Sequence, residues 1–396
     1  MILISCQNQP SLEYNLEGEW HAELDIDPDV IPFSFSLKKS GEKWRAEIFN
    51  AGEVLSYDEV VHQGDSLIIH MGIFDSEIKA TIQNDGHIQG AFVKNHIDGY
   101  SIPFFAKKGT FSRFTVSNNA TTDFSGKWRT EFEKSNGEKY DAIGIFKQDK
   151  NHITGTFLTS LGDYRFLEGN VDGDTFYLSA FDGSHAYLFI GNKRSDGSID
   201  GRFRSGQKNL ETFNAVRDEA FELPDAYSLN YLKEGFEKFT FSFPDLENNM
   251  VSLEDDKFKD KVVLVQLFGS WCPNCMDETK FLAEWYRENK NRGIEIIALA
   301  FESKGDFNYA VSRVNKTKER LKADYTFLIA GESSKEKASA ALPALNRVIA
   351  FPTLIYIGRD GTVKEIHTGF SGPGTGSYYY EWIEEHEELV NRLLEE

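Results

Sequence analysis

The chain has 396 residues, a length that suggests two or three domains at roughly 100–200 residues each. Its formal net charge of −20 argues against a nucleic-acid partner, because such a partner requires a basic surface that displaces counterions from phosphates. The 32 Phe and 16 Tyr, with only 10 Pro, are typical of a folded chain rich in strands rather than of a disordered one. No stretch approaches the ~18 apolar residues of a membrane-spanning helix, so we expect any membrane attachment to be through lipid.

The N-terminal segment, residues 1–15, is polar and aperiodic after its first few residues. Leu3-Ile4-Ser5-Cys6 resembles the bacterial lipobox, which implies that Cys6 is lipidated and that the segment is a tether. Only five residues precede Cys6, without a basic region, and a free thiol near the terminus is the alternative.

The region that follows has the pattern of short antiparallel strands. Asn84-Asp85-Gly86 and Asp98-Gly99 are strong hairpin signals, and no helical period of similar length interrupts the pattern. Eight strands are predicted: Trp20 to Ile26, Phe33 to Leu37, Trp44 to Phe49, Val54 to Val61, Ser66 to His70, Glu77 to Ile82, Ile88 to Val93 and Tyr100 to Phe105.

The strand pattern then starts again, which indicates an internal repeat. Gly18-Glu19-Trp20 recurs as Gly126-Lys127-Trp128, and Ile88-Gln89-Gly90 recurs as Ile199-Asp200-Gly201. We therefore predict two homologous antiparallel all-β domains, residues 16–110 and 124–217, each a small up-and-down barrel or a sandwich, with the two tryptophans in their cores. A linker, residues 218–238, with a short connecting helix, leads to an α/β domain with a mixed sheet, residues 239–396.

Two cysteines follow the most apolar stretch of the chain. Val262 to Phe268 is almost unbroken in its apolar character, which predicts a strand buried on both faces with a helix after it. Cys272 falls where strand gives way to helix, so its sulfur should lie near unpaired backbone N–H groups, a setting that favours the nucleophilic thiolate. Pro273 suits the first helical turn, and Cys275, one turn on, is close enough to attack a mixed disulfide.

These residues and their flanks resemble the thioredoxin superfamily. The segment from Phe243 to Cys275 is similar to the TlpA/ResA branch of membrane-anchored, extracytoplasmic proteins, and Phe351-Pro352-Thr353 resembles the cis-proline loop of the superfamily. The resemblance covers residues 239–396. It implies a cis bond before Pro352 and a substrate-binding surface made of Trp271, Phe351, Pro352 and Thr353.

The same resemblance identifies a candidate acid–base residue. A Glu three residues after the second cysteine is typical of the TlpA/ResA branch, and here it is Glu278, which would take the proton of Cys275. Thioredoxins proper carry a buried Asp six residues before the first cysteine. Here that position is Gln266, which cannot exchange a proton near neutral pH. A solvated Glu278, favoured by the helix dipole, is the alternative.

The dithiol has other possible uses. Cys-x-x-Cys could be half of a zinc site, although no second pair of ligands at the right spacing is found, and it could form a structural disulfide without turnover. The favoured hypothesis is a thiol–disulfide oxidoreductase of the cell envelope, acting on protein disulfides as a reductant and supplied by a thiol donor in the membrane. No metal and no cofactor are predicted.

The competing hypothesis is a lipid-anchored binding protein. In that case the β domains would hold a ligand or partner and the thioredoxin-like domain would be vestigial. Under the favoured hypothesis the β domains act as a spacer and docking platform, and residues 238–396 are expected to fold and reduce a generic disulfide alone.

Overall fold

The first β domain begins with a strand whose burial alternates from residue to residue. The computed structural model describes residues 15–236 and 238–396, so Cys6 and most of the predicted tether lie outside the described residues. In the first strand Trp20, Ala22, Leu24 and Ile26 are buried while the residues between them are not. The strands are Gly18–Ile26 (β1), Asp29–Ser40 (β2), Lys43–Asn50 (β3), Glu53–Gln63 (β4), Ser66–His70 (β5), Ser76–Ile82 (β6), Ile88–Lys94 (β7) and Ser101–Lys108 (β8).

These strands form a closed barrel, here called barrel 1. Each strand pairs antiparallel with the next, and β1 also pairs with β8, so that no edge remains open. All eight predicted strands are present. They form a barrel and not a sandwich, the other arrangement that the sequence allowed.

The second β domain, barrel 2, repeats this architecture. Its strands are Gly126–Glu133 (β9), Lys139–Asp149 (β10), His152–Thr159 (β11), Gly162–Asp163 (β12), Leu167–Asp172 (β13), Thr175–Phe181 (β14), Ala186–Lys193 (β15), Ile199–Ser205 (β16) and Asn209–Arg217 (β17). The β17–β9 and β10–β11 pairings close the ring. Where barrel 1 has one unbroken fourth strand, β4, barrel 2 has β12 and β13, separated by Tyr164, Arg165 and Phe166.

The repeated tryptophans serve the same purpose in both barrels. Trp20 and Trp128 are buried, and each indole Nε1 donates to the carbonyl four residues earlier, Leu16 at 3.0 Å and Phe124 at 2.8 Å. A buried indole needs such a partner for its N–H. The prediction that both tryptophans are core aromatics is confirmed.

The repeated glycine of the seventh strand is explained by close backbone contact. A Cβ on Gly90 would lie 2.0 Å from the Lys79 carbonyl oxygen, and a Cβ on Gly201 would lie 2.4 Å from the Ile190 carbonyl oxygen. Both distances are too short for any side chain, so the neighbouring strand would have to move.

We therefore expect Gly90→Ala and Gly201→Ala each to destabilise the protein by about 1–3 kcal/mol or more, since overpacking displaces the backbone. The melting temperature of each full-length variant measures this. Gly52→Ala is the matched control, because a Cβ there meets nothing within 4 Å. Equal melting temperatures for all three variants would contradict the explanation.

The third domain is built on a mixed sheet with the strand order β22-β21-β20-β23-β24. Its strands are Val262–Phe268 (β20), Ile294–Glu302 (β21), Thr326–Glu332 (β22), Thr353–Ile357 (β23) and Val363–Thr368 (β24), preceded by a hairpin of Ser242–Pro244 (β18) and Met250–Ser252 (β19). Strand β20 is central and all seven of its residues are buried, as its apolar sequence predicts.

Four helices cover this sheet or its edges. They are Pro273–Asn289 (α1), Phe307–Leu321 (α2), Lys335–Ala341 (α3) and Ser377–Glu395 (α4). The short α3 and the β18–β19 hairpin were not predicted, and the helix expected between residues 218 and 238 is only the 3-10 turn Ala226–Ser228. Within the described part of the chain, no helix is both long and apolar enough to cross a membrane.

The hairpin turn between β14 and β15 joins the two barrels. The Tyr57 hydroxyl of barrel 1 donates to the Asp182 carbonyl at 2.7 Å, and the Asn50 side-chain amide donates to the Phe181 carbonyl at 2.9 Å. These donors are satisfied across the interface rather than by water. The barrels therefore form a packed pair.

Candidate active site

Cys272 is the N-cap of helix α1. Its backbone is extended (φ −102°, ψ 111°), and its Sγ accepts a hydrogen bond from the Cys275 N–H at 3.3 Å. Pro273 occupies the first turn, where its missing N–H has no consequence. The sulfur therefore lies at the positive end of the helix dipole, as the strand-to-helix spacing predicts.

The second cysteine is more deeply placed. Cys272 is 7% exposed and Cys275 is fully buried, and both are free thiols in this structure. Burial raises the pKa of the Cys275 thiol well above its ordinary value, and the neighbouring Cys272 sulfur raises it further. Cys275 therefore needs a proton acceptor before it can attack a mixed disulfide.

Glu278 lies one turn below the dithiol and is fully buried, which excludes the solvated alternative. Burial raises its pKa to about 8, against a smaller lowering effect of the Gln266 amide, which donates to Glu278 Oε2 at 2.7 Å. Its other oxygen, Oε1, has no partner among the described residues. Gln266 thus holds the carboxyl from β20, and Thr279 in turn donates to the Gln266 side-chain oxygen at 3.2 Å.

The loop before β23 faces the first cysteine. The Phe351–Pro352 bond is cis, as the resemblance implies, and the Cys272 Sγ–H donates to the Phe351 carbonyl at 3.4 Å. Thr353 donates its hydroxyl to the Ala350 carbonyl at 3.0 Å. The loop is therefore in contact with the cysteine that is most exposed to a partner.

Trp271 borders the same face. Its ring packs edge-on against Phe351 with the centroids 5.7 Å apart, and its Nε1 donates to the Phe301 carbonyl at 2.9 Å. The predicted site residues Trp271, Cys272, Cys275, Glu278, Phe351, Pro352 and Thr353 are thus brought together in one region. Cys6 lies outside the described residues.

A carboxylate that the sequence reading missed supports the active-site loop. Buried Glu302, the last residue of β21, accepts from the Ser270 backbone N–H at 2.9 Å and from the Ser270 hydroxyl at 2.7 Å. Since β21 is parallel to β20, their carboxyl ends meet at one edge of the sheet. The available signal was an acidic residue directly after the apolar stretch of residues 294–301, which the sequence predicts to be a strand.

No group of three or more His, Cys, Asp or Glu side chains that could hold a metal is found in residues 15–236 or 238–396. Cys272 and Cys275 have no further thiol or imidazole at ligand distance there. The arrangement instead fits reversible chemistry between the two sulfurs.

Comparison with known proteins defines the class. Residues 234–381 match the family model described as Redoxin. Over 129 residues the chain is 32% identical to the thiol-disulfide oxidoreductase ResA of Bacillus thuringiensis subsp. konkukian, a match covering 33% of this chain and 66% of that protein. With ResA of Bacillus subtilis it shares 25% identity over 138 residues, covering 35% of this chain and 69% of that protein.

Solved structures match the same region. They include a thioredoxin-family thiol:disulfide interchange protein from Chlorobium tepidum, at 16% identity and a TM-score of 0.30, covering 41% of this chain and 98% of that one. A thiol-disulfide oxidoreductase from Bacteroides fragilis matches at 15% identity and a TM-score of 0.29, covering 37% and 99%.

The family match and the dithiol at the start of α1 define the class of the third domain, which belongs to the thioredoxin superfamily. Within that superfamily it is similar to the ResA-like thiol-disulfide oxidoreductases. The matched stretch spans 66% of the length of the first of those relatives and about a third of this chain, so the two barrels have no counterpart in the match.

Proposed function

We propose that this protein is a thiol–disulfide oxidoreductase acting on protein disulfides. The observation that carries the proposal is the Cys272–Cys275 pair at the start of α1, with one sulfur facing the cis-proline loop and the other buried above Glu278. The similarity to proteins named thiol-disulfide oxidoreductase supports it. A vestigial domain has no need to keep a buried carboxyl beside a buried thiol, and the binding-protein alternative is not favoured.

The reaction proceeds in two exchanges. The Cys272 thiolate attacks one sulfur of the substrate disulfide and forms a mixed disulfide with it, while the S–S bond of the substrate breaks and the other substrate sulfur leaves as a thiolate. Cys275, losing its proton to Glu278, then attacks the Cys272 sulfur and releases the second substrate thiolate. The substrate gains two electrons and the protein ends with a Cys272–Cys275 disulfide.

Trp271 and the loop of Phe351, Pro352 and Thr353 would hold the substrate chain in this scheme. The next turnover requires a thiol donor that reduces the protein disulfide. By its resemblance to the TlpA/ResA branch, we propose that the protein works in the cell envelope as a reductant, that the donor is a membrane protein, and that Cys6 carries the lipid anchor.

The test uses wild-type protein and insulin. We expect micromolar protein to accelerate insulin precipitation by dithiothreitol, and equilibration with glutathione to convert the protein reversibly between its dithiol and disulfide forms, since a redox-active pair exchanges readily with small thiols. Mass spectrometry after alkylation separates the two forms. An unchanged insulin lag together with a pair that glutathione cannot oxidise would contradict the proposal.

A further inference from the structure

Barrel 2 binds three residues of the active-site loop, one before Cys272 and two after it. The Ser184 hydroxyl donates to the Trp271 carbonyl at 3.0 Å, and Arg165 Nη1 donates to the Pro273 carbonyl at 3.2 Å. The Asn274 side-chain amide donates to the Asp163 carbonyl at 3.1 Å. Two of these three acceptors are main-chain carbonyls that flank Cys272, so barrel 2 contacts the backbone that carries the nucleophile.

Arg165 links all three domains. It is 7% exposed, and its guanidinium pairs with Asp277 in the first turns of α1 and with Glu53 at the start of β4 in barrel 1. A buried guanidinium requires such partners, and its planar fork suits two carboxylates at once. The ion pairs anchor α1 to both barrels beside the dithiol.

The break in the fourth strand of barrel 2 makes these contacts possible. Arg165 has a positive φ of 59°, which is uncommon for a residue with a side chain, and its N–H donates to Asp163 Oδ1 at 2.5 Å. This turn takes the chain out of the barrel wall between β12 and β13. Arg165, which leaves the wall, and Asp163 at the end of β12 both bind the third domain.

The same break in barrel 2 also binds a second loop of the third domain. The second oxygen of Asp163 accepts from the Gly372 N–H at 2.6 Å, in the loop between β24 and α4. In that loop, a Cβ on Gly369 would lie 2.9 Å from the Ser160 carbonyl oxygen, so the two backbones touch, and the Gly369 N–H donates to the Pro352 carbonyl at 3.0 Å. Barrel 2 is therefore bound to the loop that carries Cys272 and, through the β24–α4 loop, to the cis-proline loop.

We infer that barrel 2 is part of the active site rather than a spacer, and that Arg165 is a positioning residue that holds the first turn of α1 in place for the dithiol; this rests on the proposed function. By binding the Pro273 carbonyl and Asp277, Arg165 fixes the turn in which Cys272 Sγ lies 3.3 Å from the Cys275 N–H. A displacement of ~1 Å at reacting atoms can cost about a hundredfold in rate. We therefore no longer expect residues 238–396 alone to reduce a generic disulfide as well as the full-length chain does.

The experiment compares Arg165→Ala with wild type in the full-length chain. We expect kcat/KM for a small aromatic disulfide to fall by about tenfold to a hundredfold, and the glutathione equilibrium constant of the dithiol to change by about tenfold, because the first turn loses its support. A residue that only stabilised the fold would lower the melting temperature and leave both quantities unchanged below that temperature.

Two further variants sharpen the test. Arg165→Lys keeps the cation but not the fork, and should restore part of both quantities. Arg194→Ala is the matched control and should behave as wild type. It removes an exposed ion pair with Asp200 that lies at the end of β15 away from Ser184.

The result that overturns the inference is an Arg165→Ala variant, or Arg165→Lys if the alanine variant is insoluble, that matches wild type in both quantities. Ser184→Ala removes only the hydroxyl bound to Trp271, and its several-fold loss of kcat/KM is expected to agree in direction. Failure of the proposed function differs from these outcomes, because wild type itself would then neither reduce insulin nor equilibrate with glutathione.

Discussion

Replacement of Cys272 by serine is expected to abolish insulin reduction. The hydroxyl is a far weaker nucleophile than the thiolate at neutral pH, and no other thiol in the described residues is exposed to take its place. We expect a loss of about a thousandfold or more, to the rate of dithiothreitol alone. The measurement is the rate of insulin precipitation at equal concentrations of wild type and variant.

Replacement of Cys275 should stop the same reaction one step later. Cys272 can still attack a disulfide in Cys275→Ser, but the mixed disulfide is not resolved and accumulates as a covalent complex that dithiothreitol releases. Non-reducing electrophoresis detects it. Cys6→Ser is the matched control and should retain full activity with soluble substrates. Retention of wild-type activity by Cys272→Ser would refute the assigned nucleophile.

Glu278→Gln is expected to change the pH dependence of turnover. Burial raises the pKa of Glu278 to about 8, so the carboxyl becomes a proton acceptor as the pH rises through that value. Residues three apart on a helix are neighbours, and Cys275 has a raised pKa of its own. At pH 8 to 9 we expect resolution to slow by on the order of a hundredfold in the glutamine variant, which lacks a general base.

The rate of mixed-disulfide resolution, measured by rapid acid quench from pH 6 to pH 9, tests this expectation. In wild type the rate should rise through about pH 8, and in Glu278→Gln that rise should be absent. Glu288→Gln, an exposed residue of the same helix, is the matched control. Parallel profiles in all three proteins would remove Glu278 from the mechanism.

The same substitution should make stability less sensitive to pH. The folded protein binds the Glu278 proton more tightly than the unfolded chain, so the contribution of Glu278 to stability is greatest below its ordinary pKa of 4.5 and falls as the pH rises to about 8. The slope is at most about 1.4 kcal/mol per pH unit. Relative to wild type, Glu278→Gln should therefore gain stability between pH 5 and pH 8, with no further gain above, as urea unfolding would show.

Local pattern was sufficient for the parts of the molecule that depend on neighbours in sequence. The alternation around Trp20, the apolar run Val262–Phe268 and the spacing of Cys272 and Cys275 each predict an element or a contact within a few residues of themselves, whereas Glu278 was identified by the family resemblance. Period-2 and period-3.6 patterns record which side of the backbone faces the core. The strands of barrel 1 and the repeat of their pattern in barrel 2 are accordingly predicted, while the choice between barrel and sandwich is not.

Contacts between segments that are far apart in the chain produce no periodic pattern in the sequence. Arg165 lies 112 residues from Asp277 and 112 from Glu53, and Ser184 lies 87 residues from Trp271. In a sequence, a charged residue between two strands is typical of a solvated turn. The side chain of Arg165 is buried because other domains pack against it, and the local sequence does not indicate that packing. Glu302 was missed for a similar reason, because its partner Ser270 lies 32 residues away in the loop after β20.

The two barrels also offer a comparison of one fold with itself. If they arose by duplication, the Gly-x-Trp opening and the glycine of the seventh strand are what both copies kept in order to remain barrels. The two barrels differ in the fourth strand, which is continuous in barrel 1 and interrupted at Arg165 in barrel 2. One barrel thus keeps a continuous wall, and the other uses the interruption of its wall to bind the helix that carries the dithiol.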